Sequence, residues 1–311
     1  MFQEGYDVIG ELETYPIRYR KEIMIWNGKC FADWQIRTSF IVDAHTHPTK
    51  SFYSKEGLSL NRKRRIKEIA GFWPPFKCTI EEQLNLMHRD NISKAVVFFG
   101  RPSTIEVCNK KNRWLSDVMK RHPEFVCFAL APTDGREGTE ELIEKAIKEY
   151  GLKGIGELYP SKNIEGLRVV FEAASKLGVP VTLDVFPVHT PELIPMKTNE
   201  CIKWLREILP SFPKLKLILA HIGYMKSEVI DLIKGFKNVY ADISMVIHWY
   251  EAKVAKIIED VGADKFLFGT DFGGPTCWTP YDDIIRTERL PIPEDDIKKI
   301  MGLNAKKLLE I

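Results

Sequence analysis

The sequence lacks an uninterrupted apolar run of about 18 residues and lacks any pair of cysteines at CxxC spacing. The first absence argues against a membrane-spanning helix, and the second argues against a zinc knuckle or a disulfide framework. The opening stretch is rich in acidic residues and has no apolar segment of signal-peptide length. Six scattered cysteines then indicate reduced thiols, and we expect a cytoplasmic protein.

The chain also has no large excess of charge of either sign. Its 45 lysines and arginines stand against 43 aspartates and glutamates, which leaves a formal net charge of +2. This balance gives no overall field to hold nucleic acid or an anionic membrane. Apolar residues make up 44% of the sequence, enough to build a folded core. The expected partner is therefore a small molecule.

From residue 39 onward, short β-branched runs alternate with longer amphipathic stretches, as in parallel strands joined by crossover helices. Eight candidate strands can be counted: Phe40–Ala44, Lys94–Phe99, Phe125–Ala131, Lys153–Leu158, Pro180–Val185, Leu215–Ala220, Asn238–Ile243 and Lys265–Gly269. Helical spacing follows a capping box formed by Thr79 and Glu82, and it recurs at Glu137–Tyr150, Asn163–Lys176, Asn199–Leu209 and Glu251–Val261. The pattern predicts an α/β fold, a (β/α)8 TIM barrel with its active site at the carboxyl ends of the strands.

Two segments lie outside this repeat. Residues 1–38 are predicted to form a short N-terminal extension, and residues 39–311 the barrel. The stretch Pro48–Cys78 is a long loop after the first strand, where such loops often form a lid or a wall of the substrate site. A solvated helix with basic residues facing water is an equal alternative for its NRKRRIKE portion.

The strongest chemical signal is a pair of histidines, His45 and His47, at the end of the first predicted strand. Alternate residues of a strand face the same side, so the two imidazoles can bind one ion. Paired histidines can also simply hydrogen-bond at a strand end, and the spacing alone does not decide between the two.

Other predicted strand ends carry further donors. Glu157, Asp184, His221 and Asp271 end the fourth, fifth, sixth and eighth strands. They share one mouth with the histidines if the sheet closes into a barrel. A divalent ion with three or four such ligands lowers the pKa of bound water to near 7 and polarises a substrate oxygen. Each acid alone could be a loop cap or an ion-pair partner, but their joint placement predicts a metal site.

Several segments carry a family resemblance: IVDAHTHP, LAHIGY, NVYADIS, LFGTDF and IMGLNAKKLLEI, in that order. With them the sequence resembles the amidohydrolase superfamily, and more narrowly the branch of aminocarboxymuconate-semialdehyde decarboxylase, resorcylate decarboxylases and lactonases. The resemblance implies a (β/α)8 barrel in which His45, His47 and Asp271 bind a divalent metal. For His221 it implies a role either as a ligand or as the residue that polarises the substrate.

The fifth strand departs from this pattern. Many relatives carry a histidine at its end, where this chain has Asp184. Asp184, the later His189 or Glu157 can take that place, and we favour Glu157. The GIGELYP segment also resembles the fourth strand of TatD-type nucleases, in which a glutamate joins two metals, while LDVFPVHTPEL is similar to lactonases, some of which need no metal. We expect one ion, zinc above others, with two ions as the alternative.

Together these residues predict a metal-dependent hydrolase of a small cyclic ester or amide. A water activated by the ion attacks the carbonyl, Asp271 takes its proton, and His221 stabilises the developing oxyanion. Two alternatives stay open, a decarboxylase of a small aromatic or dienoic acid and a non-catalytic barrel that only binds. A homodimer is expected by analogy with relatives. The candidate substrate contacts are Arg101, Tyr159, His189 and His248.

Overall fold

The computed structural model describes residues 35–47, 79–100, 104–185, 198–274 and 279–311. The chain divides into two units between Arg37 and Thr38, and every element described below belongs to the second unit. The predicted N-terminal extension lies outside the described residues except for 35–38, and the predicted lid Pro48–Cys78 lies wholly outside them. Arg101 and His189 lie outside them as well.

The described part of the chain contains eight strands, each of which overlaps one of the predicted strands. They are β1 (Ile41–Thr46), β2 (Ile92–Val97), β3 (Phe125–Cys127), β4 (Ile155–Leu158), β5 (Pro180–Leu183), β6 (Lys216–Leu219), β7 (Val239–Asp242) and β8 (Phe266–Leu267). All hydrogen-bonded neighbours among them run parallel.

The strands follow one another around a ring. β1 to β3 pair in chain order, and so do β4 to β8. Backbone bonds join the two groups at both seams. At one seam Gly156 N donates to Ala129 O at 2.9 Å, and at the other His47 N donates to Phe272 O at 2.7 Å. The arrangement is therefore that of a (β/α)8 barrel, as predicted.

Helices connect successive strands or follow the last one, and the longer ones bury an apolar face. They are α1 (Ile80–Arg89), α2 (Ile105–Arg121), α3 (Thr139–Lys148), α4 (Gly166–Leu177), α5 (Thr198–Ile208), α6 (Ser227–Gly235), α7 (Val246–Trp249), α8 (Glu251–Val261), α9 (Pro280–Glu288), α10 (Glu294–Lys298) and α11 (Asn304–Leu309). The hydroxyl of Thr79 accepts from the backbone N of Glu82 at 3.2 Å, so α1 begins at the predicted cap. None of the described helices is both long and apolar enough to cross a membrane.

The floor beneath the mouth of the barrel is apolar. Val42, Ala44, Phe98 and Phe128 belong to one buried cluster, none of them more than 3% exposed. Burial of each phenylalanine side chain contributes about 1.5–3 kcal/mol to folding. The ring of Phe98 lies 4.8 Å from that of His45, so this floor supports the predicted metal ligands from below.

Strand β3 ends earlier than the sequence predicts, at Cys127 instead of Ala131. The reason is a side chain from α2. Asn112 donates to Leu130 O at 3.0 Å and accepts from Leu130 N at 2.7 Å, which replaces strand pairing there. Asn112 is fully buried although it is polar. It therefore interrupts the apolar stripe from which α2 could have been predicted in the sequence.

Replacing Asn112 by alanine should lower the free energy of unfolding by about 1–3 kcal/mol, because two buried backbone groups of Leu130 lose their partner. Urea unfolding followed by circular dichroism measures this. Arg113→Ala, at an exposed neighbouring position, is the matched control and should change stability by less than about 0.5 kcal/mol. Equal stabilities of the two variants would contradict the prediction.

Candidate metal centre

The structure brings six of the predicted residues to the carboxyl ends of the strands. All are buried, none more than 9% exposed: His45 on β1, His47 directly after β1, Glu157 on β4, Asp184 after β5, His221 after β6 and Asp271 after β8. Potential ligand atoms lie within 4.8 Å of one another in two groups, His45 with His47 and Asp271, and Glu157 with Asp184 and His221. The convergence expected of a closed barrel is therefore present.

The first group has the spacing of metal ligands. Nε2 of His45 lies 3.3 Å from Nε2 of His47, and Oδ1 of Asp271 lies 3.0 Å from the latter and 3.7 Å from the former. Two ligands of a tetrahedral ion, each about 2.1 Å from the metal, lie roughly 3.4 Å apart. The three atoms can therefore hold one divalent ion with little adjustment.

Hydrogen bonds on the far side of each ring orient these imidazoles. His45 Nδ1 lies 3.0 Å from Oδ2 of Asp242, and His47 Nδ1 lies 3.1 Å from the carbonyl of Phe98. A carboxylate and a carbonyl can only accept, so Nδ1 carries the hydrogen and donates it. The Nε2 lone pair of each ring is then directed into the cluster, as in metal-binding histidines.

His221 is held in the same way through a serine. Its Nδ1 lies 2.8 Å from Oγ of Ser244, and that hydroxyl in turn donates to Oδ1 of Asp242 in a very short contact. Since the serine hydrogen is used toward the carboxylate, Ser244 Oγ accepts from His221 Nδ1. The Nε2 atom of His221 therefore also offers a lone pair to the cluster.

Asp242, at the end of β7, is a further residue of the cluster that the sequence patterns do not predict, although it lies in the NVYADIS segment. Its carboxylate is fully buried and accepts from His45 Nδ1, from His221 N at 3.1 Å and from Ser244 N at 3.1 Å. Burial alone would raise its pKa, but the neighbouring His45 outweighs burial and lowers it. Its position at the end of β7, between the strand ends that carry His221 and Asp271, was the signal that could have identified it.

The electrostatics of the cluster favour a cation. Burial lowers the pKa of His45, but the carboxylates of Asp242, Glu157 and Asp271 together outweigh burial and raise it to about 10. These charges would stabilise a divalent ion bound between the same side chains.

Glu157 provides a test of whether an ion fits here. Its Oε1 atom is buried and accepts no hydrogen bond from any residue that the structure describes. It lies 3.5 Å from Nε2 of His45 and 3.7 Å from Nε2 of His221, the two ring nitrogens that face the cluster. A buried carboxylate oxygen needs a positively charged partner, and a divalent cation bound by the same imidazoles, which are then neutral, supplies one. The residues therefore fit the ion.

Two of these residues have backbone conformations that side-chain-bearing residues rarely adopt. His221 begins a left-handed turn that runs to Met225, with φ of 57°, and Asp271 has φ of 56°. Such conformations cost about 1–2 kcal/mol per residue and are concentrated at functional sites. Gly223, in the middle of the turn, has no room for a side chain, because an added Cβ would lie 2.6 Å from Val229.

The predicted substrate contacts have different surroundings. Tyr159 reaches the cluster, since its hydroxyl donates to Oε2 of Glu157 at 2.5 Å. Burial and then the charges of Glu157 and Asp184 raise its pKa well above 10, so the phenol keeps its proton. His248 lies on α7 with Nδ1 3.1 Å from Oδ1 of the buried Asp283. Its role in substrate binding stays a prediction.

Comparisons with known proteins agree with this architecture. The amidohydrolase family model matches residues 42–311. A comparison with curated proteins gives no match. Among solved structures, the chain is similar to an uncharacterized TIM-barrel protein of Bordetella bronchiseptica, with 21% identity and a TM-score of 0.65 over 87% of this chain and 98% of that one. The predicted fold class is thereby confirmed.

Two further solved structures are decarboxylases. One is a dihydroxybenzoic acid decarboxylase of a Polaromonas species with bound manganese and the inhibitor 2-nitroresorcinol, with 19% identity and a TM-score of 0.61 over 88% of this chain and 96% of that one. The other is 5-carboxyvanillate decarboxylase of Sphingomonas paucimobilis, with 14% identity and a TM-score of 0.62 over 88% of this chain and 99% of that one. At these identities the likeness establishes the shared fold.

Replacing Asp242 by asparagine should weaken divalent-metal binding by about 10- to 100-fold, because an amide cannot serve all the donors that the carboxylate holds around His45 and His221. Competition against a chromogenic chelator measures the affinity for Zn²⁺ and Mn²⁺. The control is Asp264→Asn, which makes the same chemical change at an exposed position and should leave the affinity unchanged. An unaltered affinity in both variants would show that Asp242 does not position the ligands.

Proposed function

Since this chain belongs to the amidohydrolase family, we propose that it is a metal-dependent decarboxylase of a small hydroxylated aromatic acid. The observation that carries the proposal is the close approach of His45 Nε2, His47 Nε2 and Asp271 Oδ1 at the mouth of a barrel whose fold is shared with two aromatic-acid decarboxylases. One of those relatives holds an aromatic inhibitor together with its metal.

His45, His47 and Asp271 would hold the ion, with Glu157 beside them. When bound, a divalent ion supplies positive charge that can bind a carboxylate with its neighbouring hydroxyl and stabilise negative charge that develops on the ring. Two imidazoles and one carboxylate suit zinc, which we keep as the expected ion, and the Polaromonas relative is described with manganese.

Asp271 is the side chain that we assign to proton transfer. Burial raises its pKa, but the surrounding imidazoles, His47 first and then His45 and His221, outweigh burial and lower the pKa below its usual value. The carboxylate is therefore ionised and can accept a proton. It takes the proton of the substrate hydroxyl and returns it to the ring carbon that bears the carboxylate. The bond to the carboxylate then breaks, its electron pair restores the ring, carbon dioxide leaves, and the product oxygen takes one proton from solvent.

Hydrolysis of a small cyclic ester or amide is the second candidate. It is favoured by the acids at the ends of β4 and β5, since Glu157 and Asp184 add carboxylates around the space that a water would occupy. In this reaction Asp271 accepts a proton from the attacking water, and the bond between the carbonyl carbon and its ester oxygen or amide nitrogen breaks. A homodimer, a small-molecule substrate and a cytoplasmic location complete the proposal.

The two reactions differ in what they release. The purified, metal-loaded protein should release carbon dioxide from 2,6-dihydroxybenzoate or 5-carboxyvanillate, measured with a coupled bicarbonate assay, and should release no acid from a panel of γ- and δ-lactones. Asp271→Asn should lower this rate by about 10²- to 10⁴-fold, the usual contribution of a positioned proton-transfer group.

Asp264→Asn, at an exposed position, should keep the full rate. Acid release from the lactones without carbon dioxide release from the aromatic acids would replace the decarboxylase with the hydrolase.

A further inference from the structure

The end of β4 carries a buried carboxylate and a phenol two residues apart. Glu157 lies in the strand, and Tyr159 directly follows its last residue. Alternate residues of an extended chain face the same side, so the phenol can reach the carboxylate. The Tyr159 hydroxyl donates to Oε2 of Glu157 at 2.5 Å, the short distance expected of a hydrogen bond to a charged oxygen. The two side chains therefore form one hydrogen-bonded pair.

The backbone around this pair is fixed from two neighbouring strand ends. Thr133, in the segment that follows β3, is only 4% exposed and donates its hydroxyl to the carbonyl of Tyr159 at 2.8 Å. From the other side, the backbone N of Asp184 donates to the carbonyl of Leu158 at 2.9 Å. The fold therefore places the phenol independently of its bond to Glu157, so the phenol can hold the carboxylate in position.

The space for the phenol depends on the absence of a side chain at Gly100, which follows β2. A Cβ atom added there would lie 3.4 Å from Cε2 of Tyr159, 3.5 Å from its hydroxyl oxygen and 3.6 Å from Oε2 of Glu157. A single methyl group would only touch these atoms, but a larger side chain would need the space that the phenol occupies. Position 100 therefore offers a way to displace the hydroxyl without removing it.

The two oxygens of the Glu157 carboxylate have different surroundings. Oε2 accepts from Tyr159, whereas Oε1 accepts no hydrogen bond from the described part of the chain and lies 3.5 Å from Nε2 of His45. Tyrosine is a neutral donor, so it holds the carboxylate without cancelling its negative charge, as an arginine or a lysine would. The carboxylate therefore keeps its charge for a cation at Oε1.

We propose that Tyr159 is a positioning residue of the metal centre, whose hydroxyl fixes Glu157 so that Oε1 faces the ion. This role differs from the substrate contact that the sequence predicts for Tyr159, since the hydroxyl is engaged by Glu157. Loss of such a contact behind a metal ligand typically lowers metal affinity by about 10- to 100-fold. The inference rests on the proposed function only in that the cluster holds an ion.

A double-mutant cycle in metal affinity tests this role. The affinities of the full-length protein for Zn²⁺ and Mn²⁺ are measured by competition with a chromogenic chelator, for the wild type, Tyr159→Phe, Glu157→Ala and the double variant. Tyr159→Phe should weaken binding by about 10- to 100-fold, and Glu157→Ala by at least as much. In the Glu157→Ala background, loss of the hydroxyl should change the affinity by about 2-fold or less, because the carboxylate through which it acts is gone.

The matched control is Tyr150→Phe, which removes a phenol hydroxyl that donates to Oδ1 of Asn109 at 3.0 Å, outside the metal centre. It should leave the metal affinity unchanged in both backgrounds. Gly100→Leu keeps the Tyr159 hydroxyl but crowds it away from Oε2, so it should weaken metal binding as Tyr159→Phe does. This variant carries the same cycle if Tyr159→Phe does not fold.

Two results would overturn the proposal. One is an unchanged metal affinity in Tyr159→Phe, and the other is a pair of losses that simply add in the double variant, since the hydroxyl would then act through a group other than Glu157. A wild type that binds no ion would refute the metal centre and this role with it. The expected cycle without any decarboxylation would refute the proposed reaction alone.

Discussion

The candidate site depends on how one buried carboxylate is satisfied. Asp242 is fully buried, and a buried charge is tolerated only when it is extensively hydrogen-bonded. Its donors come from three strand ends, those of β1, β6 and β7, through His45, His221 and Ser244. The hydrogen bonds to this one carboxylate therefore fix the orientation of two imidazoles, those of His45 and His221. Both rings direct Nε2 into the same space.

The closure of the barrel brings the remaining ligands to that space. The seam between β1 and the segment after β8 is made at His47 itself, which donates to the carbonyl of Phe272. Next to this bond, Gly273 has φ of 83°, and an added Cβ would lie 1.9 Å from the carbonyl oxygen of His47. Asp271, with its own left-handed backbone, lies in the same turn. The same backbone contacts therefore close the barrel and place Asp271 beside the histidines. A substitution that disrupts the closure is expected to displace the ligands as well.

Much of this arrangement follows from local patterns in the sequence. The two-residue period of a strand places His45 and His47 on one side, and polar residues at the ends of successive parallel strands predict a shared mouth. The left-handed turn after His221 could not be predicted, because its residues adopt it only under tertiary constraint. The position of Asp242 at the end of a strand was visible in the sequence, but its role was not, since its partners lie about 200 and 20 residues away and only the fold brings them to it.

The negative charge of the mouth also bears on which substrates it can accept. An aromatic acid arrives as an anion, and the buried carboxylates of Glu157, Asp184 and Asp271 would repel it from an empty site. A divalent ion bound among them would offset part of this negative charge and give the substrate carboxylate a positive partner. An uncharged lactone has no such requirement. The presence of the ion and the class of substrate are therefore linked, because binding of an anionic acid at this mouth depends on a bound cation far more than binding of a neutral ester does.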